Sequence, residues 1–243
     1  EEIRDSIEYN VGEMVEGMRD VSTEVAQSDF EGIRIDDFDE LSDYNYIVAG
    51  TVGNLLTDIF TYDQDFEDED RLYELSEDFG HFLQTVNIIN DPYDDFVNEN
   101  AIFVPDSLAG GNFHEEIERR FEGPEFDRSR LEEGIIELSE HADERTEKVV
   151  EYIDIVESES GKIGGYLQVP AILATANLRE ARENPWDAFE EGGIGIKKEE
   201  AFTIEDKSGN WSVGNGVELV SQEPVVTWKN VAKARLHDLK KQL

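Results

Sequence analysis

Cysteine is absent from this sequence of 243 residues, so neither a disulfide framework nor a thiolate metal site can form. Long apolar runs are absent as well, because no stretch approaches the roughly 18 consecutive apolar residues that a membrane-spanning helix needs. No signal peptide is recognisable. We therefore expect a cytoplasmic protein that is either free in solution or peripheral to a membrane.

Basic residues are scarce, with 21 Lys and Arg against 59 Asp and Glu and a formal net charge of −38. This balance excludes ordinary nucleic-acid binding, which needs cations to neutralise phosphates. Disorder is not expected either, because 38% of the residues are apolar and they fall in periodic runs. Acidic residues interspersed along every segment are typical of a surface adapted to molar salt, where self-repulsion is screened. They predict a halophilic source with a salt-filled cytoplasm.

Apolar residues recur at helical spacing through most of the chain. They predict helices over about 1–28, 40–60, 71–90, 112–122, 127–158 and 166–182, with a hinge at 161–165. Gly-Asn turns and short alternating runs in 202–228 predict a small hairpin instead. No internal repeat or linker is found, which indicates one domain over residues 1–243. Because the chain begins at Glu1 inside a helical pattern, we expect it to be the C-terminal part of that domain, truncated at its N-terminus.

The C-terminal segment 229–243 reverses the charge of the rest and is predicted to be a basic helical tail. Two interpretations remain open for it. The tail could bind anionic lipid at a membrane surface, or it could pair with the acidic body of the protein. We favour the second.

The segment Phe79–Asp95 is an apolar helix pattern that ends in three carboxylates, those of Asp91, Asp94 and Asp95. Positions i, i+3 and i+4 share one face of a helix, so the three would project together. Mg²⁺ prefers such oxygen ligands, completed by water and a substrate's phosphates. The alternative is a solvated helix end in a very acidic protein, and this segment alone favours it. Pro92 should kink or end the helix.

The predicted helix at 40–60 contains Gly50 and Gly53 beside Ala49. Each glycine costs a helix about 1 kcal/mol relative to alanine, so this small face indicates close approach of another helix or of a ligand. It is not a phosphate loop, because the Lys-Ser/Thr that should follow is missing. The acidic run 36–40 lies where this helix should begin and is interpreted as capping.

Two of these segments together resemble the squalene/phytoene synthase family. Asp43–Thr57, which reads Asp-Tyr-Asn-Tyr-Ile-Val-Ala-Gly-Thr-Val-Gly-Asn-Leu-Leu-Thr, is similar to the family's Tyr-x-x-x-Val-Ala-Gly-x-Val-Gly signature. Phe79–Asp95, followed by Phe103–Pro105, is similar to its Leu-Gln-x-x-Asn-Ile-x-x-Asp-x-x-x-Asp stretch. A weaker match at Tyr166–Leu178, with an apolar-then-Lys segment near Gly195–Lys198, leans toward the squalene branch. The paired motifs reverse the preference for a solvated acidic helix end.

The resemblance implies an all-α, isoprenoid synthase-type helical bundle around a central apolar cavity. Asp91, Asp94 and Asp95 would form the second Asp-rich motif and hold Mg²⁺, or Mn²⁺, against a prenyl diphosphate. Tyr44 would act near the reacting carbons, together with Asp91 and Asp95 as the catalytic residues. The implied substrate-binding residues are Val48, Ala49, Gly50 and Gly53 along the tunnel, and Gln84 and Asn87 near the diphosphate.

The implied activity is head-to-head condensation of two prenyl diphosphates. The squalene branch converts farnesyl diphosphate to squalene through presqualene diphosphate and uses NADPH. Two alternatives are a phytoene synthase acting on geranylgeranyl diphosphate and a degenerate homologue that binds a prenyl chain without catalysis.

The sequence departs from the family pattern at a few positions. The first Asp-rich motif is not found in the chain. Asn90 stands where most members have Arg, and Gly195 stands where another basic residue is expected. Lys197 is the remaining candidate for a contact with NADPH, so the sequence leaves the use of that cofactor open.

Overall fold

The computed structural model describes residues 2–27, 32–62, 68–123, 125–160 and 164–241. Within these ranges the protein is all-α and forms no β-strand, with only an isolated parallel bridge between Arg34 and Ile102. The predicted fold class is therefore confirmed. The helices are α1 (Glu2–Gln27), α2 (Phe38–Asn45), α3 (Thr51–Thr61), α4 (Glu69–Asn90), α5 (Pro92–Glu99), α6 (Phe113–Glu122), α7 (Arg128–Asp143), α8 (Thr146–Ser160), α9 (Gly164–Glu183), α10 (Lys198–Lys207), α11 (Val213–Gln222) and α12 (Trp228–Lys241).

The helices α4 and α9 lie at the centre of the bundle. Helix α4 packs against α3, α7, α8 and α9, and α9 also contacts α10 and α11. The near-continuous apolar sequence of α9 predicts this position, because a helix that is apolar on most sides must be surrounded. Several of its side chains, such as Leu178 and Ala171, are fully buried.

The helices α2 and α3 are joined by a short π-helical segment, Tyr46–Gly50, so that the predicted helix at 40–60 is continuous. Asp37 caps α2 by accepting hydrogen bonds from the backbone N–H groups of Asp39 and Glu40, both at 3.0 Å. The interpretation of the acidic run as capping is thus confirmed.

Glycines let α3 and α4 approach each other closely. A Cβ atom placed on Gly53 would lie 2.3 Å from the backbone oxygen of Ser76 on α4, and one on Gly80 would lie 2.4 Å from the backbone oxygen of Ala49. Such distances exclude any side chain at these positions. Of the two explanations for the small face, helix contact accounts for Gly53.

Two predicted elements are wrong. The predicted helix at 127–158 is two helices, because the chain turns at Glu144 and Arg145, where the hydroxyl of Thr146 donates to the carboxylate of Asp143 at 3.0 Å. The predicted hairpin at 202–228 is helical: α10 and α11 are separated by a short turn, and Ser212 caps α11. Three residues of the predicted hinge, 161–163, lie outside the described residues.

A buried ion pair joins the C-terminal helices to the core. The guanidinium of Arg179 on α9 donates to both carboxylate oxygens of Glu200 on α10 at 3.0 Å and to the backbone oxygen of Val220 on α11 at 2.7 Å. The side chains of Arg179 and Glu200 are only 3% and 2% exposed. Removing Arg179 would leave the buried carboxylate of Glu200 without its ion-pair partner.

The predicted basic helical tail corresponds to α12, which packs on α10. Lys229 forms an ion pair with Asp206 at 3.0 Å, and the ammonium of Lys233 lies 4.1 Å from the centre of the Phe202 ring. Lys198 and Asp238 form a further ion pair between the two helices. The tail lysines Lys229 and Lys233 therefore contact α10 of the acidic body, which is the interpretation that we favour.

Across the described ranges, no helix combines the length and apolarity needed to cross a bilayer.

Candidate active site

The three carboxylates lie at the junction between α4 and α5. Helix α4 ends at Asn90, Asp91 connects the two helices, and Pro92 is the first residue of α5. The prediction that Pro92 ends the helix is confirmed, because proline supplies no N–H and its ring opposes the preceding turn. Asp94 and Asp95 therefore stand in the first turn of α5, where the helix dipole favours negative charge, rather than on the end of α4.

The charges of this cluster are not neutralised by neighbouring cations. Burial, followed by the charges of Asp91, Glu99 and Asp94, raises the pKa of Asp95 to about 7. Burial and the charge of Asp94 also raise the pKa of Asp91. Within the part of the chain that is described, none of these four carboxylates forms an ion pair. A bound cation would relieve the repulsion.

The donor set fits a magnesium ion that is shared with a substrate. The described residues contain no group of three or more His, Asp or Glu side chains arranged to hold a metal ion alone. Mg²⁺ commonly takes only one or two carboxylates from the protein and completes its shell with water and phosphate oxygens. Asp91 and Asp95 are partly buried, whereas Asp94 is exposed. That all three bind metal stays a prediction.

Tyr44 on α2 lies close to this cluster. Its ring is 9% exposed and stacks on Phe103, with 4.9 Å between ring centres and 28° between planes. Burial, followed by the charges of Asp95 and Glu99, raises the pKa of Tyr44 to about 12. The Tyr44 hydroxyl is therefore protonated at neutral pH and can donate a hydrogen bond. The fold thus brings the predicted residues Tyr44 and Asp95 together.

A cavity of about 500 Å³ lies beside Tyr44, between α1, the segment 32–36 and α2. Its wall combines apolar and acidic side chains, and α1 contributes both kinds. Its lining residues are Gly17, Asp20, Val21, Glu24, Val25, Gly32, Ile33, Arg34, Ile35, Asp36, Glu40, Asp43, Tyr44 and Ile47.

The residues predicted to line a prenyl tunnel continue the same helical stretch beyond Ile47. Val48, Ala49, Gly50 and Gly53 are not part of the wall of this cavity. Gly50 is buried, and Ala49 and Gly53 face α4 closely enough to contact its backbone. Their role in substrate binding stays a prediction.

The two predicted diphosphate ligands of α4 precede the cluster. Asn87 is exposed and Gln84 is partly buried. Both lie on α4, about one and two helical turns before Asp91. Their contact with a diphosphate stays a prediction.

A loop that leads to Lys197 docks on the end of α4. The backbone N–H of Ile194 donates to the backbone oxygen of Asn90 at 2.9 Å. Gly193 has a φ of 58°, and a Cβ there would lie 2.0 Å from that oxygen and 3.2 Å from a carboxylate oxygen of Asp91. Lys197 itself is exposed and precedes the first turn of α10. Its contact with NADPH stays a prediction.

Sequence reasoning missed Glu99 and Gly193. Glu99 follows Asp95 by four residues, so helical periodicity alone could have placed it on the same face of α5. For Gly193, the Gly-Gly pair before an apolar segment indicates a turn, but nothing in the sequence indicates that the turn contacts Asn90.

Comparison with known proteins places this site in context. The model of the squalene/phytoene synthase family matches residues 5–200, which is more than half of the chain and includes both motifs. No curated protein matches the chain significantly.

Proposed function

Because this chain belongs to the squalene/phytoene synthase family, whose members transfer prenyl groups, we propose that it joins two prenyl diphosphates head to head. The observation that carries this proposal is the position of Asp95. Its carboxylate lies among Asp91, Asp94 and Glu99 without a neutralising cation, and its charge acts on the buried Tyr44. A diphosphate bound through a divalent cation would meet both groups.

Each residue of the site has a distinct role in this proposal. Asp91 and Asp95, with the exposed Asp94, would hold Mg²⁺ or Mn²⁺, and a bound cation would neutralise the charge of the leaving diphosphate. Tyr44 donates a hydrogen bond toward the departing diphosphate. The stacked rings of Tyr44 and Phe103 offer an aromatic surface to an allylic cation, and the apolar side chains of the cavity, such as Val21 and Ile47, shield it from water.

The squalene reaction is the first candidate, with farnesyl diphosphate as substrate and NADPH as reductant. The segment Tyr166–Leu178 and the lysine at Lys197 support it. Phytoene synthesis from geranylgeranyl diphosphate is the second candidate. Asn90 and Gly195 favour it, because neither supplies the cation that would bind a nicotinamide phosphate.

The test is incubation of the protein in high salt with Mg²⁺ and either farnesyl or geranylgeranyl diphosphate, each with and without NADPH. Extracted products are separated by mass. Squalene or presqualene diphosphate from the C15 substrate supports the first candidate, and phytoene without a need for NADPH supports the second. If neither substrate is consumed although both bind, the protein is a prenyl-binding homologue without catalysis and the proposal is wrong.

A further inference from the structure

Helix α5 has only eight residues and carries several negative charges, which repel one another. Asp94, Asp95 and Glu99 lie on it and Asp91 immediately precedes it, and an isolated helix of this length is unstable in water. Its orientation must therefore come from contacts with the rest of the fold. At its N-terminal end the buried Pro92 supplies such a contact.

Arg34, whose side chain is 9% exposed, makes a contact at the C-terminal end of α5, in addition to the stacking of Phe96 on Phe121 of α6. Its guanidinium donates to the backbone oxygen of Asn100 at 2.5 Å and to the side-chain oxygen of Asn100 at 3.2 Å. It also donates to the carboxylate of Glu118 on α6 at 3.1 Å. The guanidinium carbon lies 6.0 Å from the centre of the Phe96 ring on α5.

Asn100 is the residue that ends α5. It adopts a left-handed conformation with a φ of 52°, and its N–H donates to the backbone oxygens of Asp95 and Phe96. Arg34 thus acts on the same residue that closes the last turn of α5 around Asp95. A cation at this end also interacts favourably with the helix dipole.

The backbone around Arg34 leads directly to the helix that carries Tyr44. Ile102 donates to the backbone oxygen of Ile33 at 2.9 Å, and Ile35 donates to the backbone oxygen of Ile102 at 3.2 Å. The segment then enters α2. The segment that carries Arg34 is therefore joined by backbone hydrogen bonds to the segment that follows α5, and it leads into the helix that carries Tyr44.

We propose that Arg34 is a positioning residue. It fixes the C-terminal end of α5 through Asn100 and so holds the carboxylates of Asp91 and Asp95 at a constant position relative to Tyr44. The inference rests on the proposed function. Arginine suits this role because its planar fork reaches several acceptors at once, whereas lysine presents a single point charge.

The experiment compares Arg34→Met, Arg34→Lys and Asn100→Gly with the wild-type protein. Glycine tolerates the left-handed backbone at residue 100, so Asn100→Gly removes only the side-chain acceptor. The control is Arg71→Met, which removes ion pairs with Glu74 and Glu151 on the exposed surface of α4 and α8. Two quantities are measured: hydrogen exchange of the amides of α5 in the free protein, and calorimetric binding of inorganic diphosphate with Mg²⁺.

For Arg34→Met we expect amide exchange in α5 to become about tenfold faster and diphosphate affinity to fall about tenfold, because charge-assisted hydrogen bonds are lost. Arg34→Lys should have an exchange rate and a diphosphate affinity between those of Arg34→Met and the wild type. Arg71→Met should change neither quantity. The double variant of Arg34→Met and Asn100→Gly should be no worse than Arg34→Met alone, since both act through one contact.

Unchanged exchange and affinity in Arg34→Met would overturn the inference, as would additive effects of the two substitutions. If the wild-type protein binds no diphosphate with Mg²⁺, the proposed function fails instead. The exchange measurements then still decide whether Arg34 holds α5.

Discussion

Replacing Asp95 by asparagine should make the free protein more stable at neutral and alkaline pH. The pKa of this carboxyl rises from 3.8 to about 7 through burial and the charges of Asp91, Glu99 and Asp94. Between about pH 4 and pH 7 the native state keeps a proton that the unfolded chain has already released, so raising the pH through this window lowers stability. Asparagine has the same shape and carries no charge at any pH.

The size of the effect follows from the shift in pKa. One unit corresponds to about 1.4 kcal/mol, so ionising Asp95 costs the native state at most about 4 kcal/mol. High salt screens the part that comes from neighbouring carboxylates. We therefore expect Asp95→Asn to exceed the wild type by about 2 kcal/mol in free energy of unfolding at pH 8, and the difference should vanish at pH 4.

Urea unfolding at constant high salt measures this difference, because urea is uncharged and leaves the ionic strength fixed. The matched control is Asp154→Asn on α8, which neutralises an exposed carboxylate and should change stability little at any pH. Mg²⁺ with inorganic diphosphate is then added to each protein. The wild type should gain about 2.7 kcal/mol when the ligand is at a hundred times its dissociation constant, and Asp95→Asn should gain much less.

Two results would refute this reasoning. If Asp95→Asn follows the same pH dependence as Asp154→Asn, the carboxylate of Asp95 is solvated and not crowded by its neighbours. If Asp95→Asn is stabilised by Mg²⁺ and diphosphate as strongly as the wild type, this carboxylate does not hold the cation.

Three further substitutions test the site and the packing around it. Gly53→Ala should destabilise the protein by about 1–3 kcal/mol in urea unfolding, because the new methyl group meets the backbone of Ser76; an unchanged midpoint would show that α3 and α4 can move apart freely. Arg179→Met should cost about 3–5 kcal/mol in the same assay, since it leaves Glu200 buried and unpaired, and Arg179→Met combined with Glu200→Gln should recover part of the loss. Tyr44→Phe should lower kcat about 100-fold with little change in KM, and an unaltered kcat would show that the hydroxyl takes no part in the reaction.

Elements with strong local signals were predictable. Helix α1 follows from regular apolar spacing, and the start of α2 follows from the capping side chain of Asp37. The end of α4 follows from the absence of an N–H in Pro92. Each of these features depends on residues within one or two helical turns of each other, so local interactions that are visible in the sequence are enough to predict it.

The predicted hairpin at 202–228 failed because turn chemistry was given more weight than periodicity. Gly-Asn pairs terminate helices as readily as they form hairpin turns. Val213, Val217 and Val220 are buried and lie on one face of α11, a helical spacing that was visible in the sequence. The break between α7 and α8 was harder to see, because apolar residues continue at helical spacing on both sides of Glu144.

The sequence by itself determined the helical composition, the acidic surface and the two motifs that identify the family. Those properties depend on residue types and on short spacings along the chain, and neither changes with the tertiary structure. Only the tertiary structure decided that Tyr44 lies within the field of Asp95, that Gly193 docks on Asn90, and that Arg34 reaches the end of α5. Each of these contacts joins segments far apart in the chain, and packing of the intervening helices, rather than any local preference, brings them together.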